Sequence, residues 1–297
     1  MSARRKNAIR LAIVTGASGT LGAQIALALA DRGLTVAAFG RAEDRLAALQ
    51  NRAGATLSSR IVPVALDVTD VNAVRAAMHR ICDELGPPQV LVTAAGIYGT
   101  VGDVATTAPE RWRHAIDVNL MGVYNFCHFV LPRMIAARSG AIVNLAGGGA
   151  SGPLEHLSSY GVSKAAIVRL TDSLAAEAAP AGVRANAILP GPVDSPMQDQ
   201  LLSAGAKAGH WYEKIRALRE KGEGGVAPER TVALLDFLLF GRGAALSGRL
   251  LSARYDRFES WSDDQIAQIS VSPLYSLRRI DPTIVLAAMQ MPAIREL

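Results

Sequence analysis

Apolar stretches of strand length alternate along this chain with stretches whose apolar positions recur every three or four residues. Leu11 to Thr15 precedes Leu21, Ile25 and Leu29, and Thr35 to Phe39 precedes Leu46 and Leu49. Ile61 to Leu66, Val90 to Thr93, Ala141 to Leu145 and Arg184 to Leu189 continue the series. A strand with one solvated face alternates apolar and polar side chains, so nearly unbroken apolar strands have both faces covered. Separated by helices, they predict an α/β fold, a doubly wound parallel sheet flanked by helices on both faces, with ligands at the carboxyl ends of the strands.

The pattern also divides the chain. Residues 10–256 form a single expected dinucleotide-binding catalytic domain behind a basic tail of residues 1–9. From Asp194 to Pro228 the alternation stops, and Gly205, Gly209, Gly222, Gly224 and Gly225 punctuate short helical stretches, which predicts a lid at about 194–228. Residues 257–297 carry Trp261, a short helix through Ile269 and a further apolar stretch. Too short for an independent core, this extension is expected to pack on the domain or on a partner subunit.

The chain has 297 residues, half of them hydrophobic, yet no apolar run approaches the roughly 18 residues of a membrane span. Of the formal charge of +5, Arg4, Arg5, Lys6 and Arg10 supply four positive charges ahead of the first strand. The near balance of signs elsewhere argues against nucleic acid as a partner. The two cysteines, Cys82 and Cys127, lie in expected helices without a CxxC partner, the usage of a reduced cytoplasmic protein, and no metal site is expected.

Chemistry enters at three places. Gly16, Ser18, Gly19, Thr20, Leu21 and Gly22 lie between the first strand and the first helix, where glycines permit a tight turn and close approach of backbone to a pyrophosphate. The second strand ends in Gly40-Arg41, where an NAD-binding chain commonly carries a carboxylate for the ribose. A guanidinium there pairs with a 2′-phosphate, so NADP(H) is favoured over NAD(H). Tyr160 and Lys164, four residues apart on a helix with Ile167, Leu170 and Leu174, form an acid/base pair in which a fixed ammonium favours the phenolate.

Together with Asp67-Val68, Ala95-Gly96, Asn119 and the run Pro190-Gly191-Pro192-Val193-Asp194-Ser195, these motifs resemble the short-chain dehydrogenase/reductase family, over roughly residues 8–256. The resemblance implies a Rossmann-like fold in the shorter, single-domain branch and hydride transfer between a ketone and a secondary alcohol. It implies that Tyr160 is the proton donor or acceptor and that Lys164 is its electrostatic helper, also bonded to the nicotinamide ribose. By the same resemblance Asn119 holds a water in the proton relay, and Asp67 and Val68 contact adenine. Val193 and Ser195 then lie by the nicotinamide, and Ala95, Gly96, Pro190 and Gly191 complete the cofactor set. Paired helices, Leu120 to Ile135 and the one after Tyr160, imply a homodimer or homotetramer, with Val123, Phe126 and Val130 serving either core or interface.

Three departures stand beside these matches. The glycine loop reads TGxxGxxG where shorter members usually have TGxxxGxG. Thr93-Ala94-Ala95-Gly96 replaces the usual Asn-Asn-Ala-Gly, removing an asparagine that would pin neighbouring backbone. The family's catalytic serine falls at Gly147, and no hydroxyl occupies that position or either neighbour. Loss of one such donor costs about 10²–10³ in rate.

Replacement donors are the backbone N–H groups of Gly147, Gly148 and Gly149, Ser151, Ser158 or Ser159, and a water; on this reading a serine restored at Gly147 raises turnover. His156, Trp211 and Tyr212 are further candidates to touch substrate. The alternatives to a reductase are a cofactor-binding regulatory or interaction protein with weak or no turnover, and a non-redox enzyme that uses Tyr160 for proton transfer.

Overall fold

The computed structural model describes residues 11–222 and 225–279. The basic tail, Gly224 and the final apolar stretch of the extension lie outside the described residues. Seven strands form one sheet in the order β3-β2-β1-β4-β5-β6-β7. In chain order the elements begin β1 (Leu11–Thr15), α1 (Thr20–Asp31), β2 (Thr35–Gly40), α2 (Glu43–Arg52), α3 (Gly54–Leu57), β3 (Ile61–Ala65), α4 (Val71–Leu85) and β4 (Pro88–Thr93). They continue α5 (Pro109–Ile116), a π-helical turn (Asp117–Met121), α6 (Gly122–Ala137), β5 (Gly140–Leu145), α7 (Ser158–Ala178) and β6 (Val183–Leu189). The last are α8 (Pro196–Ala204), α9 (His210–Glu220), α10 (Pro228–Leu239), β7 (Leu250–Ser252) and α11 (Asp263–Val271). Parallel strands joined through helices make this the Rossmann-like α/β fold that the apolar pattern predicts.

Two compact units are distinguishable within the chain. Among the described residues, the first comprises those through Gly96 with Asp117–Ile142 and Ala181–Val183; the second comprises Ile97–Ile116, Val143–Pro180 and the described residues from Arg184 on.

In the first unit β1 pairs with β2 on one side and β4 on the other, so the strand order reverses at β1. Such a reversal opens a crevice at the strands' carboxyl ends. β3 accepts Pro63 in mid-strand because it is an edge, where a missing N–H costs no ladder bond. Val123, Phe126 and Val130 of α6 are all buried, and Phe126 meets Phe39 edge-on with ring centres 4.9 Å apart. They belong to the core of the chain itself.

In the second unit α7 buries Ile167, Val168 and Leu174. β7, which the apolar pattern did not reveal in its three residues, pairs with β6 from Ala187↔Leu250 onward. The region from Asp194 forms α8 and α9, tied at the surface by Arg219, which reaches both Asp194 at 3.1 Å and Asp199 at 2.7 Å. The described part of the extension packs within this unit. Trp261 is buried with its ring 5.0 Å from Tyr275 and 6.0 Å from Phe237, and Arg249 donates to the carbonyls of Ser270 and Leu274. A capping box of Ser262 and Gln265 starts α11. Among the described residues no helix is long and apolar enough to cross a membrane.

Candidate active site

The glycine loop of the first unit is a cradle that side chains would fill. A Cβ added at Gly16, whose φ is +68°, would lie 2.6 Å from the amide nitrogen of Ala95, and one at Gly22 would overlap the carbonyl of Gly16. Both positions are closed to any larger residue. Gly19 caps α1 with no side-chain hydrogen bond, leaving the first amides of that helix to an anion. Thr15 Oγ1 accepts from the amides of Ala94 and Ala95 at 3.1 and 3.2 Å. Thr15 thereby pins the segment that the missing asparagine was expected to leave loose.

At the end of β2, Gly40 is needed for the same loop. A Cβ there would come within 2.8 Å of Ser18 Cβ, so an acidic side chain at this position would displace Ser18. Arg41 is exposed, its guanidinium 3.8 Å from an Asp67 oxygen. An ion pair that long in water contributes at most about 1 kcal/mol, which leaves Arg41 available to a stronger anion. Thr69 donates its amide and its hydroxyl to the other Asp67 oxygen at 2.9 and 2.8 Å. Val68 is held by Asn125, which donates to its carbonyl at 3.0 Å, and by Gly122, where any side chain would strike the valine. Asn119 is fully buried within the π-helical turn, a distortion frequent at functional positions.

Tyr160 and Lys164 lie in the second unit on α7. Lys164 is 4% exposed, donates to the Leu145 carbonyl at 2.8 Å, and holds its ammonium 5.5 Å from the centre of the Tyr160 ring. Burial lowers the Lys164 pKa to about 8. Burial also dominates at Tyr160, and with a smaller contribution from Tyr98 it raises the phenol well above its ordinary value. The expected tilt toward phenolate is therefore outweighed, and Tyr160 is a neutral phenol with a proton to donate. The buried thiol of Cys127 is likewise pushed up, to about 12, which makes it a poor nucleophile.

The position of the expected serine is filled. A Cβ built at Gly147 would overlap the hydroxyl oxygen of Tyr160 and lie 3.0 Å from its Cζ. Of the replacement hydroxyls, Ser158 Oγ accepts from the Trp112 indole at 3.0 Å. Ser159 Oγ, fully buried, donates to the Tyr98 carbonyl at 3.2 Å and accepts from the Thr100 amide at 3.3 Å. Both hydroxyls face these partners, whereas Ser151 and Gly148 are exposed. His156 adopts φ +61°, places Nδ1 3.2 Å from Asp103, and seats its ring where a side chain at Gly209 would go. Gly191 and Gly225 hold the segment from Pro190 to Ser195, Val193 bridging to Gly225 and the Val226 amide donating to Pro192.

The profile of the short chain dehydrogenases matches residues 10–205. The chain belongs to the short-chain dehydrogenase/reductase family. Among its relatives, a 2-(R)-hydroxypropyl-CoM dehydrogenase of Xanthobacter autotrophicus is 35% identical over 190 residues, 63% of this chain and 76% of that one. A 2-dehydro-3-deoxy-L-rhamnonate dehydrogenase (NAD(+)) of a Sphingomonas species is 38% identical over 192 residues, 65% and 75% of the two chains. A crystal structure of a variant actinorhodin polyketide ketoreductase with NADPH superposes with a TM-score of 0.74 at 28% identity, covering 82% of this chain and 95% of that one. The short-chain dehydrogenase/reductase chemistry common to these relatives is oxidation or reduction at CH–OH/C=O.

One residue that the motifs did not single out stands beside Tyr160. The Tyr98 ring meets the Tyr160 ring edge-on, with centres 5.0 Å apart and planes at 66°. Its only signal in the sequence is its place two residues after Gly96. Trp211 and Tyr212 pack with Tyr98, Tyr160, Leu154 and Leu202 around buried Leu201 and Ile215.

Proposed function

We propose that this short-chain dehydrogenase/reductase is an NADP(H)-dependent oxidoreductase that interconverts a ketone and a secondary alcohol, with Tyr160 as acid/base. The observation that carries this reading is the Tyr160 phenol oxygen lying against Gly147, with the buried ammonium of Lys164 beside its ring. In the direction of reduction Tyr160 gives its proton to the carbonyl oxygen. Lys164, held by the Leu145 carbonyl, offsets the negative charge that then remains on the phenol. The bound nicotinamide supplies or accepts the hydride at carbon.

The first unit fits a dinucleotide. Its cradle of Gly16, Gly19 and Gly22 and the uncapped start of α1 suit a diphosphate, and Asp67 and Val68 are assigned to adenine. Gly40 keeps a carboxylate away from the 2′-position while Arg41 is available to a phosphate there. Arg41→Ala is expected to raise KM for NADPH about 10- to 100-fold, the range of one or two charge-assisted hydrogen bonds, with KM for NADH nearly unchanged. Equal losses with both cofactors would remove the case for NADP(H).

The reading is tested by incubating the protein with NADPH and a panel of ketones and following absorbance at the nicotinamide band. Turnover by wild type that Tyr160→Phe abolishes supports it. NADPH binding without turnover of any carbonyl would sink it, in favour of a cofactor-binding protein.

A further inference from the structure

We propose that Tyr98 is a second catalytic phenol, donating a hydrogen bond to the reacting oxygen in place of the serine that Gly147 cannot carry. The inference rests on the oxidoreductase reading above and deepens it.

The need is set by Gly147. Its missing side chain is occupied by the Tyr160 hydroxyl, so no serine fits without moving the acid itself. Ser159 gives its proton to the Tyr98 carbonyl, Ser158 Oγ is turned to the Trp112 indole from which it accepts, and Ser151 is exposed. Among side chains on other elements, the aromatic neighbour of Tyr160 is Tyr98.

Its position is built rather than incidental. Ser159, the residue before Tyr160, donates to the Tyr98 carbonyl and is bonded to both the amide and the hydroxyl of Thr100. Between them Gly99 takes φ +75° and packs so closely that any side chain would overlap Ala115 Cβ and come within 2.8 Å of Ser159 Oγ. One buried serine thus fixes Tyr98 to the turn of α7 that carries Tyr160, which makes Ser159 a positioning residue. The tie runs through the Tyr98 carbonyl, so the phenol hydroxyl is not what holds the residue in place.

The chemistry suits that placement. Half-buried Tyr98 is pushed above its ordinary pKa by burial and stays a protonated donor. During reduction the carbonyl π bond breaks, carbon gains a hydride from NADPH, and oxygen gains the proton of Tyr160. Tyr98 donates a hydrogen bond to the developing oxyanion and keeps its own proton, while NADPH leaves as NADP⁺. Leu154, Leu202, Trp211 and Tyr212 pack in the same cluster as both phenols, so the substrate class is a ketone with an aryl or cyclic apolar body.

The test uses 4′-fluoroacetophenone and its oxygen-free analogue 1-ethyl-4-fluorobenzene, with Tyr98→Phe keeping the ring and its edge contact. Binding to the NADP⁺-loaded protein is read by fluorine NMR, and reduction is read with NADPH. Tyr98→Phe is expected to weaken binding of the ketone about fivefold, to leave the analogue unchanged, and to lower kcat about 10- to 100-fold without changing NADPH affinity. Unchanged ketone binding and turnover in Tyr98→Phe would overturn the assignment, as would wild type binding the two ligands alike. If wild type holds the ketone through its oxygen yet never reduces it, the oxidoreductase reading falls and Tyr98 is judged on binding alone.

Discussion

Tyr160→Phe is expected to lower kcat for ketone reduction by about 10²–10⁴-fold, with KM and NADPH affinity close to those of wild type. The substitution removes one oxygen and keeps the ring that Tyr98 packs against. Because burial holds the phenol protonated, wild type carries its acid in working form throughout the neutral range. On the proposed mechanism the pH limit is set by Lys164. Its pKa is lowered to about 8, so its charge is present below that pH and lost above it. Reduction should therefore fall as pH rises through about 8, with no opposing rise from Tyr160, whose own ionisation is displaced upward. A rate profile flat from about pH 7 to 9.5 would mean that the ammonium does not support the step. Retention of more than a tenth of kcat by Tyr160→Phe would remove the phenol from the mechanism.

The strands were legible because each is a short apolar run between glycine or polar turns, and the run survives even Pro63, which β3 accommodates as an edge. Three-residue β7 left no such trace, since its pairing with β6 depends on how the chain returns rather than on its own composition. The places of the glycine loop, Arg41, Tyr160 and Lys164 were readable by spacing, because each sits after a strand end or on one helix face. What fills the gap at Gly147 was not readable in that way. The segment shows that a hydroxyl is missing, but the atom in its place comes from thirteen residues further along the chain. Ser158 and Ser159 show the same limit from the other side. As letters they are spare hydroxyls beside the tyrosine, whereas their bonds to Trp112, Tyr98 and Thr100 give them structural work. Spacing also places the Lys164 charge near Tyr160 but says nothing of the water that folding removes, and that burial raises the phenol.

Gly147→Ser is expected to lower kcat by about 10²-fold, the reverse of what the missing hydroxyl alone implies. The family resemblance treats position 147 as a vacancy, so that a serine there would restore a donor to the reacting oxygen. In the structure that volume belongs to the Tyr160 hydroxyl, and a Cβ would overlap it before any Oγ could act. The collision is with the far end of a side chain, so the ring can swing aside and the fold survives, but the proton then starts from the wrong place. A displacement of about 1 Å at the reacting group costs on the order of 10²-fold. Gly147→Ala imposes the same Cβ without a hydroxyl and should fall as far, which separates displacement of Tyr160 from any effect of the serine oxygen. Both variants should keep NADPH affinity and unfold within a few degrees of wild type. If Gly147→Ser instead gained activity while Gly147→Ala lost it, the phenol would have room to move and the serine would be the better donor. That result would return the acid/base pair to the family's usual arrangement and would leave Tyr98 as packing.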